Sequence, residues 1–122
     1  MKVKAIVFAM TIAFAVMVGA ASAGDAGKGK GLFESTGKCK TCHKTDSAKL
    51  VGPGLAGVSK SYSDAFLKSW IMNPAEVWKA DGAEVQKMKA KVNKVGKPKT
   101  AMQPGKLTDA EADDVVAYLK TL

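Results

Sequence analysis

The chain contains no arginine; every one of its 19 basic Lys+Arg positions is a lysine. Base-edge and phosphate recognition lean on the planar, bidentate fork of arginine, so an all-lysine surface argues against nucleic acid as a partner. Histidine occurs once and cysteine twice. That donor set falls short of the four protein ligands a structural zinc site takes. No stretch alternates apolar and polar residues over a useful strand length, and no segment repeats, which leaves sheet and solenoid architectures without support. Acidic residues are missing from positions 85–107, where Lys87, Lys89, Lys91, Lys94, Lys97 and Lys99 all fall.

Long apolar runs are confined to the first 23 residues. Lys2 and Lys4 precede an apolar stretch, Ala5 to Val18, broken only by Thr11, and Ala21-Ser22-Ala23 has the small-x-small form of a cleavage site. An uncleaved anchor is the alternative, because Ala5 to Ala23 approaches the roughly 18–20 apolar residues of a spanning helix. The A-x-A ending, with no stop-transfer charge cluster behind it, favours cleavage. Residues 1–23 are thus expected to be a secretory signal peptide, and 24–122 a single domain in the periplasm with no remaining membrane span. That domain carries 17 lysines against 11 acids, a net charge of +6. Such a surface suits diffusional steering towards an acidic partner.

The patterns that are present are helical. Asp25 to Glu34 reads as a short helix rich in glycine and lysine. Ser61 and Asp64 read as a capping box for "SDAFLKSWIMN", in which Phe66, Leu67, Trp70 and Ile71 form an apolar stripe ended by Pro74. From Ala83, the residues Val85, Met88, Val92 and Val95 recur at helical spacing, with the lysines on the polar face. Pro98 and Pro104 bracket an extended loop, "PKTAMQP". Thr108 and Glu111 form a capping box for the last helix, with Ala112, Val115, Val116 and Leu119 inward. Asp109, Glu111, Asp113 and Asp114 crowd its first turns, where the helix dipole favours negative charge. The fold class is all-α. With 12 glycines and long loops the core is thin, and a small domain of that kind needs a staple or a cofactor.

Both cysteines and the histidine lie together in "GKCKTCHKTD" (37–46). A redox pair of the thioredoxin type belongs beside a βαβ unit, and no strands are visible. An uncommitted CxxC would also tend towards a disulfide outside the cytosol. Zinc would need donors the chain lacks, and Cys42 and His43 are too close in sequence to chelate one tetrahedral ion comfortably. Covalent haem accounts for every residue: Cys39 and Cys42 reach the two vinyl-derived carbons as thioethers, and His43 follows as an axial iron ligand.

On these residues the sequence resembles the class I cytochrome c family over essentially all of 24–122. "GDAGKGKGLF" (24–33) is similar to the family's first helix, with Gly29 and Phe33 at its glycine and aromatic positions. "CKTCH" matches the haem-binding motif, "GPGLAG" (52–57) the proline loop, and "DDVVAYLKTL" (113–122) the last helix. Two extra residues separate Phe33 from Cys39 compared with many members, and "MQP" stands where many have Met directly before Pro. The resemblance implies a cytochrome c-like fold of about four to five helices around one covalently attached haem c. It implies that Gly29 lets the first helix cross the last closely, with Phe33 near Val115 and Tyr118. It also implies that the Pro53 carbonyl accepts the second imidazole N–H of His43, and that Leu55 lies against the ring.

Three methionines of the 24–122 segment compete for the far side of the iron. Met88 sits on the apolar stripe of its helix, and Met72 faces away from Phe66 and Trp70. Met102 occupies the proline-bracketed loop, the position of the family's axial methionine, and is the expected ligand. Trp70 is expected to pack on the ring, with its indole N–H within reach of a propionate; Trp78 has no assignment. The function implied is that of a periplasmic monohaem electron carrier, His/Met ligated and monomeric. It would exchange single electrons with redox proteins that bear acidic docking surfaces, and would not be an enzyme. The alternative is a tightly bound electron-transfer subunit of a larger periplasmic oxidoreductase, with the run 87–99 as its interface. A peroxidase would call for a second haem, and the chain has one CxxCH.

Overall fold

Helix α1 (Ala26–Glu34) begins where Asp25 turns its carboxylate onto the Lys28 backbone N–H at 3.0 Å. That bond holds the Asp25 carboxyl below its ordinary value of 3.8, as expected of an anion capping orphan N–H groups. The computed structural model describes residues 24–122, so the signal segment expected at 1–23 lies outside the described residues. After α1 come a single 3₁₀ turn at Cys39–Thr41 and five further helices: α2 (Val58–Ser61), α3 (Asp64–Met72), α4 (Pro74–Ala80), α5 (Ala83–Lys91) and α6 (Asp109–Leu119). No strand occurs among the described residues. The fold is all-α, with α2 and α4 added to the helices that the sequence pattern marks.

Pro74 ends one helix and starts another. Asn73 leaves the helical region at φ −152°, and Pro74 takes the first position of α4, where its missing N–H costs no hydrogen bond. The start of α3 differs from expectation. Ser61 belongs to α2, and the cap is Ser63, whose hydroxyl accepts from Phe66 N at 3.2 Å. The third helical residue is Phe66, so no local acid completes a box. Glu84 of α5 completes it instead, accepting from Ser63 N and Ser63 Oγ at 2.8 Å each. The box expected for α6 is present: Thr108 Oγ1 accepts from Glu111 N at 3.2 Å, and Glu111 Oε1 from Thr108 N at 2.9 Å.

Helix α5 ends earlier than its apolar spacing suggests. Asn93 adopts the left-handed conformation at φ 55°, and Lys94 N closes back on Lys89 O at 2.8 Å. This is a Schellman stop. Val95 therefore lies off the helix and is 72% exposed rather than inward. Lys89, expected on the polar face, is buried.

The core has two parts. In the first, α1 crosses α6, the most extensive helix pair in the fold. A β-carbon on Gly29 would collide with the Asp114 carbonyl and meet Tyr118 Cβ at 2.9 Å, so only glycine allows this approach. Phe33, fully buried beside Val115, meets Tyr118 edge-on with centroids 5.4 Å apart. In the second part, Trp70, Trp78 and Val85 join α3, α4 and α5, with Met88 and Met102 packed against them.

Candidate functional site

Between the two parts of the core lies a cavity of about 410 Å³, within the roughly 300–1,000 Å³ of small-molecule sites. Its inner wall is apolar, formed among others by Phe33, Leu55, Leu67, Ile71 and Val115. His43 enters from the attachment turn and Met102 from the proline-bracketed loop.

The turn is shaped by backbone bonds. Gly37 N donates to Leu32 O, Cys42 N to Cys39 O at 3.1 Å and His43 N to Cys39 O at 2.9 Å. Lys38 precedes the turn in the left-handed region at φ 52°. Cys39 lines the cavity, and burial pushes its thiol above the ordinary value of 9.0. Cys42 is half-buried at the end of the turn, next to His43, and is not among the cavity-lining residues.

The proline loop is tied to the chain that follows the turn. Gly52 N donates to Cys42 O at 2.8 Å, Leu55 N to Lys44 O at 3.0 Å and Ala56 N to Asp46 O at 3.2 Å. These bonds bring the Pro53 carbonyl to 2.8 Å from His43 Nδ1. A carbonyl only accepts, so Nδ1 carries the proton and Nε2 keeps its lone pair free. Pro53 and Leu55 both line the cavity.

The part of the lining that includes Met102 is less regular. Met102 N donates to Thr100 Oγ1 at 3.2 Å, and Gly105 N donates to Ile71 O at 3.0 Å. Trp70 lines the cavity, stacked on Phe66 at 6.4 Å between centroids. Met88 also lines the cavity, whereas Met72 packs into the first core and does not.

Two tryptophan-side features escape the sequence pattern. Trp78 lines the cavity and its Nε1 donates to Lys97 O at 2.9 Å. Tyr62 also lines it; burial first, then the Glu84 carboxylate, push its phenol above 10.0, so it is neutral. Exposed Lys91, Lys94, Lys97 and Lys99 stand along the wall that carries Met102, and Val51, 70% exposed, lies on the His43 side.

The donor set fits haem. Two thiols precede an imidazole whose second nitrogen is already engaged, and an apolar chamber lies beside them. These features define a c-type haem protein. The family model described as Cytochrome c matches residues 26–122, and the chain belongs to that family. Its members hold haem c covalently and in general carry electrons between redox partners rather than act as enzymes. No curated protein and no solved structure gives a significant match. No helix among the described residues is long and apolar enough to cross a membrane.

Proposed function

We propose that the chain is a periplasmic monohaem carrier of single electrons, with Cys39 and Cys42 as thioether anchors and His43 and Met102 as axial ligands. The observation that carries this reading is that His43 and Met102 line one apolar cavity from two different loops. Haem c, when bound, supplies a one-electron Fe(II)/Fe(III) couple. The chain does the rest. The Pro53 carbonyl keeps the proton on His43 Nδ1 and so presents Nε2. A soft thioether from Met102 would favour the reduced metal and, together with His43, would leave no place for oxygen or peroxide. The apolar wall excludes water, and Trp70 offers its indole N–H to a propionate.

The lysines along the Met102 wall steer acidic redox partners towards a monomer, and no enzymatic step is assigned to the chain. The deciding experiment is a visible spectrum of the exported holoprotein, reduced, before and after carbon monoxide. A low-spin c-type spectrum unchanged by carbon monoxide is the expected result. An adduct at neutral pH would overturn the closed His/Met site. N-terminal sequencing of the exported protein tests cleavage after Ala23.

A further inference from the structure

Among the described residues, Lys89 is the buried charged side chain, 9% exposed in a stretch whose other lysines face solvent. A lone ammonium there would be costly, so its partners carry meaning. Its Nζ donates to Trp78 O at 3.1 Å and to Asp81 Oδ1 at 2.6 Å. It also stands 4.7 Å from the centroid of the Trp78 ring, within cation–π range. Asp81 is itself fixed at the end of α4 in the left-handed region, φ 53°, with its carbonyl accepting from Gln86 Nε2 at 2.8 Å.

The same indole also reaches the segment that follows α5. Trp78 Nε1 donates to Lys97 O, at the start of the irregular segment that carries Met102. The ring also lies 6.1 Å from Trp70, and Met102 packs against this aromatic group. A continuous chain of contacts thus runs from a buried cation, through one indole, to the backbone five residues before the methionine.

We propose that Lys89 and Trp78 form a clamp that positions the Met102 loop over the cavity. Lys89 holds the plane of the indole, and the indole N–H holds Lys97 O. Nearer Met102, the hydrogen bonds among the described residues are those of Met102 N to Thr100 Oγ1, within the loop, and of Gly105 N to Ile71 O. Without the clamp the loop is free to swing its thioether out of the cavity. Both are positioning residues: neither needs to touch iron. The proposal rests on Met102 as the axial ligand.

Exogenous imidazole, which competes with a methionine ligand on the ferric protein, reports the clamp directly. The haem-loaded wild type is titrated beside Trp78→Phe, which keeps a smaller aromatic ring and removes the donor, and Lys89→Met, which keeps the stem and removes the charge. Each variant should bind imidazole roughly tenfold more tightly, the scale of one lost hydrogen bond. The double variant should bind no more tightly than either single one, because both act through the same contact. Val116→Ala serves as the control, a buried α6 residue that does not line the cavity. It should lower the melting temperature yet leave imidazole affinity at the wild-type value. Wild-type affinity in both clamp variants, or an equal gain in Val116→Ala, would overturn the clamp alone. Imidazole binding to Met102→Ala no tighter than to wild type would overturn the ligand assignment and the clamp with it.

Discussion

Gly52 lies so close to the His43 imidazole that a β-carbon on it would stand 2.5 Å from Cε1 and 2.8 Å from Nδ1. The Gly52 backbone has no room to retreat, because its N–H is bonded to Cys42 O and the next residue supplies the carbonyl that Nδ1 donates to. Gly52→Ala should therefore move the ring rather than the loop. The expected result is a stability loss of about 1–3 kcal/mol, the usual cost of overpacking, together with a weaker Soret band per unit of protein. Chemical denaturation and the absorbance ratio check it; wild-type values for both would show that the loop yields instead.

Met102 and Met88 both line the cavity, but their backbones differ. Met88 is held within α5, whereas Met102 lies in an irregular segment between Pro98 and Pro104. Met102→Ala should lower the reduction potential and abolish the sulfur-to-iron charge-transfer band of the ferric protein. It should also open the reduced iron to carbon monoxide. Met88→Ala should keep the band and lose stability by about 2–5 kcal/mol, as a truncated packing residue does. The reverse outcome would make Met88 the ligand.

What the sequence revealed and what it hid follow one physical rule. Thr108 and Glu111 are legible as a box because both partners lie within one helical turn. Ser63 is not, because its carboxylate comes from Glu84, 21 residues away. The CxxCH turn is legible from its fixed spacing, whereas the contact between the Pro53 carbonyl and His43 was implied only by the family resemblance. Trp78 was hidden because Pro74 resets the helical phase, so its direction cannot be extrapolated from Trp70. Lys89 was read as solvated because its partners lie eight and eleven residues upstream, across the break between α4 and α5. Val95 was placed inward by a period that Asn93 had already stopped; an Asn just past a lysine-rich last turn was the available signal.

Stability should fall at both ends of the pH range for opposite reasons. Asp25 is held below 3.8 by the Lys28 backbone bond, so the folded state prefers its ionised form. Its contribution is complete above 3.8 and is lost as the pH falls through the lowered value. Lys68 donates to Asp109 at 2.8 Å and Asp113 at 3.1 Å, and these bonds raise it above 10.5. Its contribution is complete below 10.5 and is lost as the pH rises through the raised value. Asp25→Asn keeps a capping oxygen without the charge, so it should flatten only the acid limb of melting temperature against pH. Lys68→Met should flatten only the alkaline limb. Parallel curves for variant and wild type would remove either residue from the account.

Lys91, Lys94, Lys97 and Lys99 belong to a stretch with no acid from 85 to 107 and line the wall that carries Met102. Association with an acidic redox partner should then depend on long-range attraction. Raising ionic strength from about 0.01 M to 1 M shortens the screening length from roughly 30 Å to 3 Å, which should slow bimolecular electron transfer steeply. Lys91→Glu and Lys94→Glu should slow it further at low salt and converge with wild type at high salt, because such charges act on the encounter more than on the bound state. A rate indifferent to salt, with the partner still co-eluting on gel filtration at 1 M, would instead mark a permanent subunit interface. That outcome would replace the shuttle with an obligate complex while leaving the haem site as described.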